Sequence, residues 1–99
     1  MAMNYALKPT THQSLTASGS SVASAAFGSQ TEYVRIATPA DIHILFGASP
    51  TASATAGSAS IFVPADQPEI FKVSPGEKVA VIGTAEVSVT EMSLSLIHI

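Results

Sequence analysis

Residues 68–92 read PEIFKVSPGEKVAVIGTAEVSVTEM, and this stretch decides the fold class. Apolar and polar residues alternate in it with the period of two that is typical of β-strands. Pro75 and Gly76 suit a type II turn, because proline presets φ at the second position and glycine accepts positive φ at the third. We therefore predict a hairpin over this turn and a third strand beyond Gly83, which together form an antiparallel meander.

The upstream sequence adds further short strands separated by proline and glycine. They are predicted within 15–18, 22–27, 32–37, 42–46 and 60–63. Short strands at this spacing, with no helical period, indicate an all-β fold, a small antiparallel β-sandwich (jelly-roll-like or barrel-like) of seven or eight strands. The predicted core consists of the inward-facing apolar residues Val34, Ile36, Ile42, Ile44, Phe46, Ile61, Val63, Phe71, Val73, Val79, Val81, Val87 and Val89.

The length of 99 residues predicts one domain, with an N-terminal arm over 1–11, a β-sandwich over 12–92 and a β-prone extension over 93–99. The apolar residues change phase at Thr90-Glu91, and a strand changes its buried face only at a bulge, a break or a new partner. The extension is uncharged and β-prone, so another strand must pair with it to prevent aggregation. We favour pairing within its own fold; pairing with a neighbour's sheet and a disordered tail are the alternatives.

The composition is unusually poor in charge for a small domain. Charged residues are 11% of the chain, against about 25% in ordinary soluble domains, and mean hydropathy is +0.38. One interpretation is an ordinary β domain rich in small residues. We favour the other, that identical or different subunits cover much of the surface, because interface cores are depleted of charge.

Net charge and segment composition exclude several classes of partner. The net charge is −3 and the four basic residues are scattered, so neither a nucleic-acid partner nor an anionic membrane surface is expected. The sequence has no cysteine, no secretory signal pattern and no apolar run of the roughly 20 residues that span a bilayer. We expect assembly in a cytoplasm.

No arrangement of residues predicts a catalytic, cofactor or metal site. The histidines have no ligand-like spacing, although three subunits at a threefold axis could each bring one to a metal; they are His12, His43 and His98. Four carboxylates fall in loops or turns without a calcium-loop pattern, namely Asp41, Asp66, Glu69 and Glu77. No nucleophile elbow or phosphate-binding loop is present. The sequence thus predicts a protein that is not an enzyme.

A family resemblance goes further. The segments QSLTASGSS, QTEYVRIATPADIHILFG and FVPADQPEIFKVSPGEKVAVIGTAEVSVTEM, within Gln13–Met92, resemble small virion structural proteins of tailed phages and prophages. The resemblance implies a capsid decoration (cement) protein located in the virion and assembled in the host cytoplasm. It implies symmetric homo-oligomers, with trimers favoured, that bind the major capsid protein or other virion proteins. The lattice contacts are then expected from Met1–Thr11, Gly47–Ser60 and Met92–Ile99.

Two other functions are compatible with the pattern. The first is another virion part, such as a neck, tail or fibre-attachment protein. The second is a carbohydrate-binding β-sandwich, which the sequence disfavours because it has no tryptophan and only two tyrosines for stacking on sugars.

Overall fold

The computed structural model describes residues 3–53 and 60–98, which contain seven β-strands and no helix. All strand pairs are antiparallel, so the predicted all-β class and the small sandwich or barrel-like architecture are confirmed. In chain order the strands are β1 (Met3–Ser18), β2 (Val22–Ala23), β3 (Tyr33–Ala37), β4 (Ile42–Gly47), β5 (Ile61–Val63), β6 (Glu69–Lys72) and β7 (Lys78–His98).

The 21-residue strand β7 is the axis of the fold. Its first part, 78–83, pairs with β4 and β2, and its longer second part, 84–98, pairs with β1 and, over 88–92, with β3. β5 pairs with the outer edge of β4, and β6 pairs with the outer edge of β3. We call β1, β3, β6 and 84–98 of β7 layer A, and β2, β4, β5 and 78–83 of β7 layer B.

The sheet passes from layer B to layer A along one line. β7 crosses this line at Gly83, whose φ is +157°. The other strands are interrupted beside it, between β1 and β2, between β3 and β4, and between β5 and β6. Two backbone hydrogen bonds run along the line: Gly19 N–H donates to Gly83 C=O over 2.8 Å, and Asp66 N–H donates to Thr38 C=O over 2.9 Å. The sheet therefore folds over here, and the prolines and glycines of the sequence mark the corner.

The core lies between the inner faces of the two layers. Ten of the predicted core residues are buried, while Phe46 and Phe71 are partly buried and bring their rings within 5.4 Å of each other. The prediction for Ile61 was wrong: it is 41% exposed, because β5 is a three-residue edge strand with only β4 beside it. Further apolar residues that the core prediction omitted are also buried, namely Leu15, Ala17, Phe27, Ala52, Ala80 and Met92.

The predicted turn is present, but the predicted meander is wrong. Glu77 N–H donates to Ser74 C=O over 3.2 Å and Gly76 has φ +83°, which together are a type II turn. The strands on either side, β6 and β7, do not pair with each other, because this link crosses from layer A to layer B. No turn follows Gly83 either; the two predicted strands there are one continuous strand.

The predicted arm and extension form one structure. Met3–Pro9 of β1 pair with Met92–His98 of β7 as a two-stranded ribbon, so this end of β7 pairs within its own chain. The irregularity expected near Thr90-Glu91 lies in the partner strand, where the register shifts between Pro9 and Thr11. Glu91 keeps the buried side of β7 that Val87 and Val89 occupy, and Met92 is buried as well.

Two loops complete the description. The strand predicted within 22–27 is limited to Val22–Ala23, and the chain then runs without regular structure to Tyr33. The predicted loop Gly47–Ser60 begins after β4 ends at Gly47, and 48–53 form no strand. Its central part, 54–59, lies outside the described residues, as do the predicted contact positions Met1, Ala2 and Ile99.

Candidate interaction surfaces

Glu91 is a buried carboxylate fully engaged in hydrogen bonds. It is 3% exposed, and its Oε1 accepts from Thr31 Oγ1 over 2.7 Å and from Gly28 N–H over 2.9 Å. Its Oε2 accepts from Gln13 Nε2 over 3.2 Å. A buried carboxylate is tolerated when such donors replace water. Its role here is structural, because these bonds fasten the 24–32 loop to β7 and β1.

The same loop closes one side of the sandwich. Phe27 inserts into the core at 3% exposure, and its N–H donates to Glu77 C=O over 2.8 Å. Phe27 C=O in turn accepts from Gly76 N–H over 3.0 Å. Neither Phe27 nor Glu91 was predicted from the sequence to fix this loop. The burial of Glu91 could have been predicted from its position, because position 91 continues the alternation of the buried residues Val87 and Val89.

The outer face of layer A is polar and exposed. His12 Nδ1 lies 3.2 Å from Thr90 Oγ1, and its Nε2 lies 3.3 Å from Ser14 Oγ and 3.5 Å from Ser88 Oγ. These hydrogen bonds include no carboxylate that could orient the imidazole, as a catalytic triad requires. The cluster is a hydroxyl-rich part of this surface around one imidazole.

A groove of about 440 Å³ lies beside the corner on this layer. Ala37, Pro39 and Pro68 give it apolar walls, and Asp66 and Glu86 contribute carboxylates. Glu86 Oε1 accepts from Thr16 Oγ1 over 2.7 Å. The groove is open to solvent. Its two carboxylates do not make a cation site, because they have no further ligands beside them.

The outer face of layer B carries the apolar surface. Phe62 is 51% exposed and packs its ring 5.3 Å from the imidazole of His43. His43 is in register with Ile82 on its other side and both are partly exposed, whereas Ala80, in register with Leu45, is fully buried. The row formed by Phe62, His43 and Ile82 contains no Asp, Glu, Lys or Arg, whereas Lys78, in register with Gly47, lies further along the same face of β7. It is the type of surface that a protein partner can cover without desolvating charge.

The residues considered for chemistry stay apart. His12 lies on the outer face of layer A, His43 lies on that of layer B, and His98 is in register with Met3 at the end of β7. Asp41 and Glu77 act locally: Asp41 Oδ1 accepts from Ala65 N–H, and Glu77 Oε1 accepts from Ser74 N–H, each over 2.8 Å. Over 3–53 and 60–98, no three histidine or acidic side chains form a group suited to a metal ion.

Comparison with protein-family models, curated proteins and solved structures finds no match for this chain. Within the described part of the chain, no helix has the length and hydropathy that crossing a bilayer requires.

Proposed function

We propose that this chain is a structural subunit of a tailed-phage virion, and specifically a capsid decoration protein. The observation that carries the proposal is the uncharged row of Phe62, His43 and Ile82 on the outer face of layer B, where Phe62 is half exposed. Such a row on a 10.1 kDa domain suits a surface that a neighbouring subunit covers, because interface cores are depleted of charge. The resemblance of Gln13–Met92 to small virion proteins supplies the class of partner.

The mechanism is differential binding. A decoration protein favours the assembled shell because it binds a junction between major capsid subunits that free subunits lack. Binding at many such junctions stabilises the shell by mass action. The stabilisation at each junction grows with the logarithm of the free protein concentration divided by the dissociation constant. The rigid, antiparallel β-sandwich suits this role, since little conformational entropy is lost when it binds.

The test is the copy number in purified particles. The chain is expressed with the virion genes of its own genome, particles are isolated on a density gradient, and quantitative mass spectrometry gives copies per major capsid protein. Hundreds of copies per particle support decoration of the shell. A dozen or fewer would instead place the chain in a neck, tail or fibre attachment, and absence from the particles would refute the proposal.

The matched variant is Phe62→Ser, compared with Ile70→Ser. Both remove an exposed apolar side chain from an edge strand, but Ile70 belongs to layer A. Reduced occupancy for Phe62→Ser alone supports binding through layer B. Equal occupancy of both variants and the wild type would exclude this face as the binding surface.

A further inference from the structure

The edge of β1 over Thr11–Ser18 differs from the edges of β2, β5 and β6; the edge of β7 over 93–98 is also unpaired, but it belongs to the two-stranded ribbon. Unpaired strand edges invite other strands, and proteins normally block them with charge, proline, a bulge or short length. β2 has two residues, β5 has three and is followed by Pro64, and β6 carries Glu69 and Lys72. The edge of β1 over Thr11–Ser18 has eight residues and none of these protections.

The first half of β1 provides an internal contrast. It contains Lys8 and Pro9, and the register shift that follows Pro9 leaves Thr10 as an extra residue opposite β7. Such a bulge twists an edge away from a flat approach. The protection ends at Thr11, where regular pairing with β7 resumes and continues to Ser18.

The outward-facing backbone groups of this edge can be assigned. Gly19 N–H donates to Gly83 C=O, so odd-numbered residues of β1 bond to β7 in the alternating antiparallel pattern. On the far side of β7, Met92 C=O accepts from Glu32 N–H, so the backbone groups of even-numbered β7 residues face β3. The odd-numbered β7 residues therefore face β1, in agreement with the bond between Gly19 and Gly83. The N–H and C=O groups that point away from β7 therefore belong to His12, Ser14, Thr16 and Ser18.

We propose that this edge pairs with the same edge of a second copy of the chain, antiparallel across a twofold axis. A second copy fits because the segment has no charge, so self-pairing opposes no like charges. One register uses all four outward residues: His12 faces Ser18 of the copy, and Ser14 faces Thr16. Each such pair exchanges two hydrogen bonds, which gives about eight across the axis.

The side chains are compatible with this register. His12, Ser14, Thr16 and Ser18 are all exposed on the outer face of layer A, so hydroxyl groups meet hydroxyl or imidazole groups across the axis. Hydrogen-bonding pairs of this kind add to sheet stability. The pairing makes layer A continuous through two copies and gives a dimer of about 20 kDa from two 10.1 kDa chains. A trimer cannot be built from this twofold contact alone.

The biological purpose of this dimer rests on the proposed role in the virion, where two joined copies would bind the shell together. The test of the dimer needs no particle, so the two proposals can fail separately. Sedimentation velocity of the full chain is compared for wild type, Ser14→Lys, Ser14→Pro and the control Ser29→Lys. Ser29 is exposed in the 24–32 loop and adds the same charge away from the edge.

We expect about 20 kDa for the wild type and Ser29→Lys, and about 10 kDa for both Ser14 variants. Ser14→Lys brings two lysines diagonally together across the axis, and Ser14→Pro removes an outward N–H without breaking the ladder to β7. Circular dichroism verifies that each variant is folded. A wild type that is monomeric at its highest soluble concentration, a trimer, or a Ser14→Lys dimer would overturn the proposal.

A measurement on the wild type alone keeps the test independent of variant folding. Amide exchange by NMR should show slow exchange at Ser14 and Thr16 in concentrated protein and fast exchange after dilution below the dimer transition. The neighbouring Leu15 should stay protected at both concentrations, because its N–H bonds to β7. Fast exchange at Ser14 and Thr16 in a sample of dimer mass would contradict pairing through this edge.

Discussion

Gly83 and Ile42 approach each other so closely that a Cβ built on Gly83 would lie 2.8 Å from Ile42 Cγ2. The same Cβ would lie 3.1 Å from the backbone oxygen of Asp41. Because real Cβ atoms do not approach carbon this closely, the corner of the sheet requires glycine here. Gly83 also has φ +157°, a conformation that is strained for residues with a side chain.

We predict that Gly83→Ala lowers the free energy of unfolding by about 2–4 kcal/mol, because it combines backbone strain with a clash against a buried neighbour. Urea unfolding measures the loss. Gly19→Ala is the control, since Gly19 also has positive φ (+92°) but nothing lies within 4 Å of its built Cβ. It should cost only about 1 kcal/mol. Equal losses in the two variants would mean that the contact with Ile42 contributes nothing.

Glu91 gives a second prediction. Glu91→Ala leaves Thr31 Oγ1, Gly28 N–H and Gln13 Nε2 without their acceptor, so we expect a loss of about 3 kcal/mol or more. Glu91→Gln keeps one acceptor oxygen and should lose less. Thr31→Ala removes a single bond and should cost about 1–2 kcal/mol. Chemical denaturation measures the order of the three variants. A Glu91→Ala protein as stable as wild type would show that the buried carboxylate does not hold the loop.

The type II turn can be tested at its two central residues. Gly76→Val forces a β-branched residue to adopt φ near +83° and should lower stability by about 1 kcal/mol or more. Nothing lies within 4 Å of a Cβ built at this position, so the loss reports backbone conformation alone. Pro75→Ala should cost less, since it only frees the unfolded chain. Thermal unfolding of the pair distinguishes them, and a Gly76→Val protein with unchanged Tm would contradict the turn type.

The sequence predicted β3, β4 and the turn before β7 well because each obeys a local rule, whereas β1, β2 and β7 differ from their predicted extents. Val34 and Ile36 alternate with exposed neighbours in β3, Ile42 and Ile44 do so in β4, and Pro75-Gly76 forms the turn that its residues favour. These features depend on neighbours within a few positions. A single strand and its turn are therefore readable without knowledge of what lies across the sheet.

The pairing of strands was not readable in this way. The short link between β6 and β7 has the sequence of a hairpin, yet it joins strands in different layers. Whether such a link turns within a layer or crosses between layers depends on the corner, where Gly83 lets one strand serve both. Gly83 was interpreted as a turn residue, because the presence of glycine does not by itself distinguish a turn from a close approach between backbones.

The candidate surfaces were the least predictable part. Phe62 and Ile61 lie in a strand that the sequence identified, but their exposure follows from β5 being an edge, which is a property of strand order. The burial of Glu91 was not predicted, because a carboxylate is expected to face water. Its hydrogen-bond donors come from positions 60 to 78 residues away in the chain. Low charge indicated a covered surface without indicating which face.

The ribbon formed by Met3–Pro9 and Met92–His98 gives the last prediction. β3 pairs with β7 only as far as Met92, so beyond this point each strand of the ribbon has one partner. An isolated two-stranded ribbon is marginally stable in water. We expect deletion of 94–99 to change the free energy of unfolding by less than about 1 kcal/mol.

Deletion from Glu91 onward is the matched comparison. It removes the buried carboxylate, the buried Met92 and the pairing with Tyr33, so this protein should fail to fold. Circular dichroism and urea unfolding of the two truncations measure the difference. A large loss on removing 94–99 alone would mean that the ribbon contributes to the stability of the sandwich, and that the fold extends past the last pairing of β3 with β7.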